Sequence, residues 1–553
     1  MAPMFNVVCV ICWFQILDAS LTLSHYAKRF ADDVYQQRNF LPQCTKTTSP
    51  CRCTQVYPRE IVIECKKATL KQVQDSMAAV SNTKMQILAV DIYGLILKKN
   101  NVENEFYDNF FAKHSAVPRA LVVQDCRIER RRSSTRRNSR ESSSSNEEYQ
   151  EDSISYHSDP ELRRQNENDE ILLNFAPDAF KSLEDILVTL KIDCPTSGQS
   201  LEAIKKLRLL NVLQLNHLKM MPEIDDLPFE HLIHLDLRKN GISKIGHQAF
   251  NPATQLENVN LAHNELKIFE TSIFDKLINL NELDLSNNKI TSIVQDNFSS
   301  SSLSSLEHLD LSRNLLTTLG RGILNKYQKL KILKLESNTL SEITTDQLDQ
   351  LINLEILSLH DNPIHLIYNF SMQNLTNLKN LYLSQACISS NREKSITDQE
   401  NRMNFLKIDP QAFHGLINLQ MLDFDCTIFQ NLDGDIFNNT PNLKYLILAN
   451  SQMINDNQDW LNENMFKNLK SLTHLYLAGF DLNLIKNETT FLEDLISLRE
   501  LNLVNYTPIM PQCNGTPHPK WLDILLDVDY PRNFTVTLPN CLPNAYQRYY
   551  RNQ

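Results

Sequence analysis

Between His231 and Asn369 the chain repeats a single spacing of apolar and polar residues. Written from each leading leucine, the blocks read LIHLDLRKNGI, LENVNLAHNEL, LNELDLSNNKI, LEHLDLSRNLL, LKILKLESNTL and LEILSLHDNPI. The leading residues, Leu232, Leu256, Leu280, Leu306, Leu330 and Leu354, stand 24, 24, 26, 24 and 24 apart. Apolar side chains occupy positions one, four, six and eleven, and asparagine occupies nine: Asn240, Asn264, Asn288, Asn314, Asn338 and Asn362. Positions four and six share one side of an extended strand. Such strands, stacked at ~4.8 Å, make a parallel sheet. An inward amide at position nine can bond backbone groups that the turn out of the strand would otherwise bury unpaired. A phenylalanine ahead of the next leading leucine is expected to fill the opposite side: Phe250, Phe274, Phe298, Phe370, Phe413, Phe437, Phe466 and Phe491. One block cannot bury its own face, whereas a stack can.

This spacing is the leucine-rich-repeat signature. It implies an α/β solenoid, a right-handed leucine-rich-repeat horseshoe with a parallel concave β-sheet and an irregular, short-helical convex side. Weaker repeats led by Ile87, Pro118, Leu187 and Leu210 precede the regular six, and others led by Leu378, Leu419, Leu443, Leu472 and Leu498 follow. The expected organisation is a signal segment (1–24), a lead-in (25–43), a cysteine-rich cap (44–66), a solenoid of about fifteen repeats (67–506) and a C-terminal cap (507–553). Insertions at 127–170 and 389–406 break the period.

At 553 residues a globular chain would divide into several domains, but a solenoid grows without splitting. The net charge of −11 argues against a general nucleic-acid or anionic-membrane surface. No apolar run is long enough to span a bilayer. The run Phe5–Leu17, followed by small polar residues, reads as a secretory signal, so the expected location is the extracellular space or matrix. Cys9 and Cys12 fall inside that run and are not a redox motif. Ten further cysteines suit an oxidising route. Eight sequons, at Asn297, Asn369, Asn374, Asn438, Asn487, Asn505, Asn514 and Asn533, point the same way.

The spacing Cys44-x6-Cys51-x-Cys53-x11-Cys65 sits where an open solenoid end needs a cap. Four zinc-binding thiolates are the alternative reading. The pattern resembles the N-terminal cap of animal extracellular leucine-rich-repeat proteins, a group that includes Toll-like ectodomains, Slit, chaoptin-like adhesion proteins and matrix proteins. That resemblance implies the pairs Cys44–Cys53 and Cys51–Cys65. Cys126 and Cys194 flank the first insertion on adjacent repeats, as Cys387 and Cys426 flank the second. Neighbouring strands are close enough to join each pair; the alternative is a set of lone, small core cysteines. Cys513–Cys541 is expected to staple the C-terminal cap, beside the amphipathic stretch Trp521–Val528. The four-cysteine C-terminal flank common in Slit-like and Toll-like proteins is absent.

The first insertion divides by charge. Residues 127–140 hold seven arginines against Glu129, and residues 141–170 hold ten acids against Arg163 and Arg164. Ser-rich and nearly free of aliphatics, it is expected to be a solvated, disordered loop. Arg127-x-x-Arg130 and the run Arg130, Arg131, Arg132 also suit basic-directed proteases, and endosomal Toll-like receptors are similar in carrying a processed insertion. The arginines could instead hold an acidic glycan such as heparan sulfate. They lack interleaved aromatics, so base stacking is not expected.

No GxGxxG, P-loop, HExxH or GxSxG motif occurs, and no enzyme activity or cofactor is expected. His234 with Asp236 and His308 with Asp310 lie three repeats apart, roughly 14 Å by strand spacing, too far to share a metal ion. The concave positions are polar in the first regular repeats and turn apolar at Ile332, Ile356, Tyr382, Met421, Tyr445, Ile447 and Tyr476. Such a patch is expected to dock an extracellular protein, or to lie under the second insertion. The function expected is secreted, non-enzymatic recognition or adhesion. The alternatives are a structural matrix component, similar to the small leucine-rich proteoglycans, or the non-catalytic subunit of a secreted enzyme complex.

Overall fold

A computed structural model describes residues 39–40, 50–57, 60–81, 86–97, 105–106, 110–111, 118–128, 172–219, 223–294, 305–385, 405–432, 434–453, 465–478, 494–502 and 535–537. The chain divides into two compact units, Met1–Met220 and Met221–Gln553.

In the first unit, β1 (Cys51–Tyr57) and β2 (Glu60–Lys66) form an antiparallel hairpin. Cys51 and Cys65 lie opposite each other on it and are disulfide-bonded. The hairpin starts a parallel ladder that continues through β3 (Gln86–Tyr93), β4 (Ala120–Gln124), β5 (Thr189–Ser197) and β6 (Val212–Lys219). Between β2 and β3 runs α1 (Leu70–Ser81), whose buried stripe Leu70, Val73, Met77 and Val80 follows helical periodicity. Beneath the ladder an aromatic core gathers Phe106, Phe110, Phe111, Phe175 and Phe180, with centroids 4.6–6.1 Å apart.

The second unit is a longer ladder. Its rungs are β7 (His234–Asp236), β8 (Asn258–Asn260), β9 (Glu282–Asp284), β10 (His308–Asp310), β11 (Ile332–Lys334), β12 (Ile356–Ser358), β13 (Asn380–Tyr382), β14 (Met421–Asp423), β15 (Tyr445–Ile447), β16 (His474–Tyr476) and β17 (Glu500–Asn502). All pair in parallel without slipping. Leu235, Val259, Leu283, Leu309, Leu333, Leu357, Leu381, Leu422, Leu446, Leu475 and Leu501 are consecutive partners. These are the position-four residues, and none exposes more than 2% of its surface. The fold is therefore the leucine-rich-repeat solenoid that the spacing implies.

Every regular rung leaves the sheet in the same way. The residue at position eight takes a left-handed backbone, as at Lys239, His263, Asn287, Arg313, Ser337 and Asp361, with φ of 53–60°. None of these is glycine, so each turn carries a local steric cost. Hydrogen bonds offset that cost. The N–H of position eight donates to the next repeat, for example His263 to Ser286 O (2.9 Å) and Arg313 to Glu336 O (2.8 Å). The asparagine at nine then closes the turn. Asn264 Nδ2 donates to Leu261 O (2.9 Å) in its own repeat and Leu237 O (3.0 Å) in the one before, while its Oδ1 accepts from Asn240 N and Ile242 N. Asn288, Asn314, Asn338 and Asn362 bond in the same way. All six asparagines are buried.

A second column of amides is not legible in the periodicity. Asn353, Asn377, Asn418 and Asn442 each stand one residue before a leading leucine. Each donates Nδ2 to a carbonyl of the preceding repeat, Gln328, Ile352, Thr376 and Ile417, at 2.8–2.9 Å.

On the opposite side Phe250, Phe274, Phe413, Phe437 and Phe466 are buried, whereas Phe298 and Phe491 lie outside the described residues. Phe370 departs from expectation: it is 41% exposed, and Met372 takes the core place at 1%. Counted back from the leading leucine, the core residue pairs with a second apolar residue three positions on, as in Phe413 with Leu416. Met372 with Leu375 fits that step and Phe370 does not. Where one repeat carries Tyr327 in place of that leucine, the ring is wholly buried. The neighbouring Lys326 reaches Asp275, 51 residues earlier, in a nearly buried ion pair of 3.2 Å.

Replacing Asn288 by Ala would strip the Leu261 and Leu285 carbonyls and the Leu266 N–H of their side-chain partner. The loss in unfolding free energy should be roughly 2–3 kcal/mol. Denaturant unfolding followed by circular dichroism measures it, and an unchanged midpoint would show the column to be dispensable.

Candidate functional site

The ladder's outward face is the surface that the repeat leaves free. Positions three and five of each rung point away from the core and stand in register. In β7–β11 they are half-exposed and polar: His234, Asp236, Asn258, Asn260, Glu282, Asp284, His308, Asp310 and Lys334. Only Ile332 in this stretch is apolar and buried. Asp236 grips the guanidinium of Arg238 through Nε (2.9 Å). Asn258 donates to Glu282 (2.9 Å), and Lys334 pairs with Asp310 at 3.2 Å. The Ser358 hydroxyl lies 2.9 Å from His360 Nδ1.

The apolar patch expected farther along is a correction. Ile332, Tyr382, Met421, Ile447 and Tyr476 are buried, at 9%, 3%, 5%, 1% and 7% exposure, and only Ile356 and Tyr445 stay half-exposed. From β12 onward the whole position-five column is inside: Ser358, Tyr382, Asp423, Ile447, Tyr476 and Asn502. At one strand spacing, large side chains in register stand shoulder to shoulder and shield one another. Tyr445 stacks on His474 with centroids 4.4 Å apart, and Asn380 donates to the Tyr382 hydroxyl at 3.2 Å. Outward direction on a strand does not give exposure where the neighbours in register are large.

Burial also raises several carboxylic acids on these faces. Desolvation pushes Asp423 up to about 7, aided by the nearby Asp425, although the backbone N–H of Asp425 bonds the carboxylate. Desolvation raises Glu336 to about 7 and Asp284 to about 6, in both cases with Asp310 adding repulsion. In the first unit, Asp91 is raised to about 6 by desolvation and by Glu64 beside it in register.

The remaining expected sites divide by location. Cys126 and Cys194 are disulfide-bonded, with Cα atoms 5.4 Å apart. Cys53 is buried, and Cys426 is in a disulfide. Cys44, Cys387, Cys513 and Cys541 lie outside the described residues. Asn369, Asn374 and Asn438 are exposed, whereas Asn297, Asn487, Asn505, Asn514 and Asn533 lie outside the description. Arg127 belongs to the short strand Arg127–Ile128, paired with Ile96–Leu97. Arg130, Arg131 and Arg132 lie outside the described residues. Among the described residues no group of His, Cys, Asp and Glu could hold a metal ion, and no helix is long and apolar enough to cross a membrane.

A carboxylic acid whose folded pKa lies above its unfolded value favours folding in its protonated form. That stability is fully present below the unfolded value near 4 and is lost as pH rises towards 7. The thermal midpoint should therefore be higher at pH 5.5 than at pH 7.5. Asp423→Asn, which keeps an acceptor for the Asp425 N–H, should stabilise the protein at pH 7.5 by about 1–3 kcal/mol and flatten the dependence. Scanning calorimetry of both proteins at both pH values checks this; a midpoint that rises with pH would contradict it.

Profiles of known families agree with this geometry. A leucine-rich-repeat profile matches residues 230–290, 254–316 and 278–327, and a profile of BspA type leucine-rich-repeat regions matches 303–394 and 391–512. Jointly they reach from 230 to 512. Tsukushi of Gallus gallus is 37% identical over 90 residues, which is 16% of this chain and 24% of that protein. Tsukushi of Xenopus tropicalis is 38% identical over 91 residues, 16% and 25% of the two chains. The chain thus spans about a quarter of the length of these curated relatives. Among solved structures, the TLR13–ssRNA13 complex superposes with a TM-score of 0.55 at 20% identity, covering 85% of this chain and 59% of that one, a likeness of fold. The chain belongs to the leucine-rich-repeat proteins.

Proposed function

We propose that this is a secreted, glycosylated, non-enzymatic binding protein that takes an extracellular protein partner on the ladder face of β7–β12. The observation that carries this reading is the half-exposed row from His234 to Ile356, broken only at the buried Ile332 and held rung by rung at fixed spacing. A face so regular presents polar groups already positioned, which lowers the ordering cost of association. Tyr445 and His474, stacked and half-exposed, offer an aromatic contact farther along. The two described disulfides favour an oxidising route.

Glycans on the described sequons would not obstruct this face. Asn258, Asn260 and Asn380 on the described rungs are outside any sequon, and the exposed sequon asparagines Asn369, Asn374 and Asn438 lie off the ladder strands. The arginine block including Arg127, Arg130, Arg131 and Arg132 is proposed as a separate contact, for an acidic glycan or a processing protease.

Two large cations on the ladder face, Asn258→Arg with Asn260→Arg, should weaken capture of an extracellular protein by the intact chain at least ~10-fold. Ile278→Arg, 65% exposed and off the rungs, should leave capture unchanged. Affinity capture from conditioned medium, quantified by mass spectrometry, makes the comparison; equal capture by all three proteins would remove the ladder face from the reading. In protein recovered from the medium, Asn374→Gln should lower the mass by one glycan relative to wild type. An unchanged mass would mean that the site is not used.

A further inference from the structure

The centre of the ladder face holds four carboxylates against one ammonium. Glu282 and Asp284 stand on β9, Asp310 on β10, and Lys334 with Glu336 on β11 and just beyond it. Asp284 and Asp310 are direct partners on adjacent parallel rungs, so their carboxylates sit about one strand spacing, ~4.8 Å, apart. Lys334, next in register, pairs with Asp310 at 3.2 Å. Glu336 forms no ion pair of its own and feels the Lys334 ammonium only through space: its Oε2 is buried without a hydrogen-bond partner, and its carboxylate bonds only the neighbouring Ser358 hydroxyl among side chains.

The surroundings are polar but supply little compensating charge. From β8, Asn258 donates to Glu282 at 2.9 Å, and Asn260 is turned to its own Ala262 N–H. From β9, the Ser286 N–H donates to Asp284. On β10, His308 is half-buried, and Arg313 stands exposed at the turn. From β12, Ser358 and His360 bond each other beside Glu336, with Asp361 at the following turn. Burial holds His308 and His360 below the ordinary imidazole range, so neither gains charge early as pH falls.

We propose that this row is a proton-operated surface: at neutral pH it holds a cation-bearing protein segment rich in Lys or Arg, and on acidification it takes up protons and releases that segment. The groups that change state are Glu336 and Asp284. Glu336, Asp284 and Asp310 share the single ammonium of Lys334, and the two aspartates are like charges on neighbouring rungs. The raised values near 7 for Glu336 and near 6 for Asp284 agree with this geometry. Protonating two of the four acids removes most of the field that attracts a cation while leaving the Asp310–Lys334 pair intact. The proposal concerns regulation of the docking face described above and rests on that reading for its partner; the uptake of protons does not.

Two measurements on the full-length chain separate those parts. The first is a potentiometric difference titration of wild type against the isosteric variant Asp284→Asn/Glu336→Gln, with no partner present. Between pH 8 and pH 5 the wild type should take up about two more protons, whereas ordinary carboxylic acids, with values near 4, would take up only about a tenth each. A difference below half a proton overturns the switch. Should the double variant fail to fold, Glu336→Gln alone gives the same reading at about one proton.

The second measurement is calorimetric binding of an octa-arginine peptide at pH 7.5 and pH 5.5 and constant ionic strength. Wild type should bind at least ~10-fold more tightly at pH 7.5, and the double variant should bind weakly at both. Binding that the two substitutions do not alter belongs to the acidic stretch 141–170 and overturns the assignment of the cation site. Proton uptake without any peptide binding overturns the docking reading and leaves the titrating cluster standing.

Discussion

Every repeat must leave the sheet without abandoning buried backbone groups, and that constraint shapes the whole molecule. A strand followed by a turn exposes carbonyls and N–H groups to an apolar interior, where each unpaired group costs on the order of 1–3 kcal/mol. The left-handed residue at position eight aims its N–H at the next rung. The asparagine at nine serves the carbonyls of two consecutive repeats at once. An amide there has both a donor pair and an acceptor, which no hydroxyl or aliphatic side chain can match. The bonding that satisfies one turn also fixes its distance to the next, and the register of the rungs is therefore as uniform as the turns.

That economy frees the outward positions. Because the inward residues and the asparagine carry stability, positions three and five can vary between His, Asp, Asn, Glu, Lys, Ile and Tyr without disturbing the pairing. The consequence is visible where the regular asparagine gives way. Thr427 stands at position nine of the β14 repeat, with its Oγ1 buried and unbonded, and Ser451 of the next repeat donates to Phe424 O at 2.7 Å in place of an amide. Register persists there, supported by Ile447, Tyr476 and other large side chains packed on the outer face. Chemistry displayed in the early repeats is exchanged for packing in the later ones.

The sequence alone carried the inward half of this arrangement far better than the outward half. A spacing of 24 residues with leucine at fixed offsets specifies which side chains meet, so the consecutive pairing from Leu235 to Leu501 is legible in the sequence. What escaped were relations between repeats that no single repeat encodes. The exposed amides Asn353, Asn377, Asn418 and Asn442 bond carbonyls roughly one repeat earlier, and polar residues beside a leading leucine look like ordinary surface. Tyr382 and Ile447 read as exposed because alternation gives direction but not the size of the neighbours across the ladder. Phe370 stands two residues before the core position, which Met372 fills. Acids such as Glu336 and Asp284 match the polar consensus of their positions, and only their burial beside Asp310 sets them apart.

The first insertion illustrates how the same constraint accommodates a long interruption. The β4 and β5 rungs, Ala120–Gln124 and Thr189–Asp193, pair residue for residue as though nothing lay between them. Shorter pairings flank them, Ile96–Leu97 with Arg127–Ile128 and Glu105–Phe106 with Asn174–Phe175. A loop's closure entropy grows only logarithmically with its length, so added residues cost little once the rungs have met. The Cys126–Cys194 disulfide spans 68 residues of sequence. Confining so long a loop in the unfolded chain should contribute roughly 4 kcal/mol on the chain-entropy account. That is more than a typical turn asparagine supplies, and Cys126 sits at position nine, where the asparagine would be. A covalent staple thus stands where the hydrogen-bonding residue is missing, at the point where the solenoid is most interrupted.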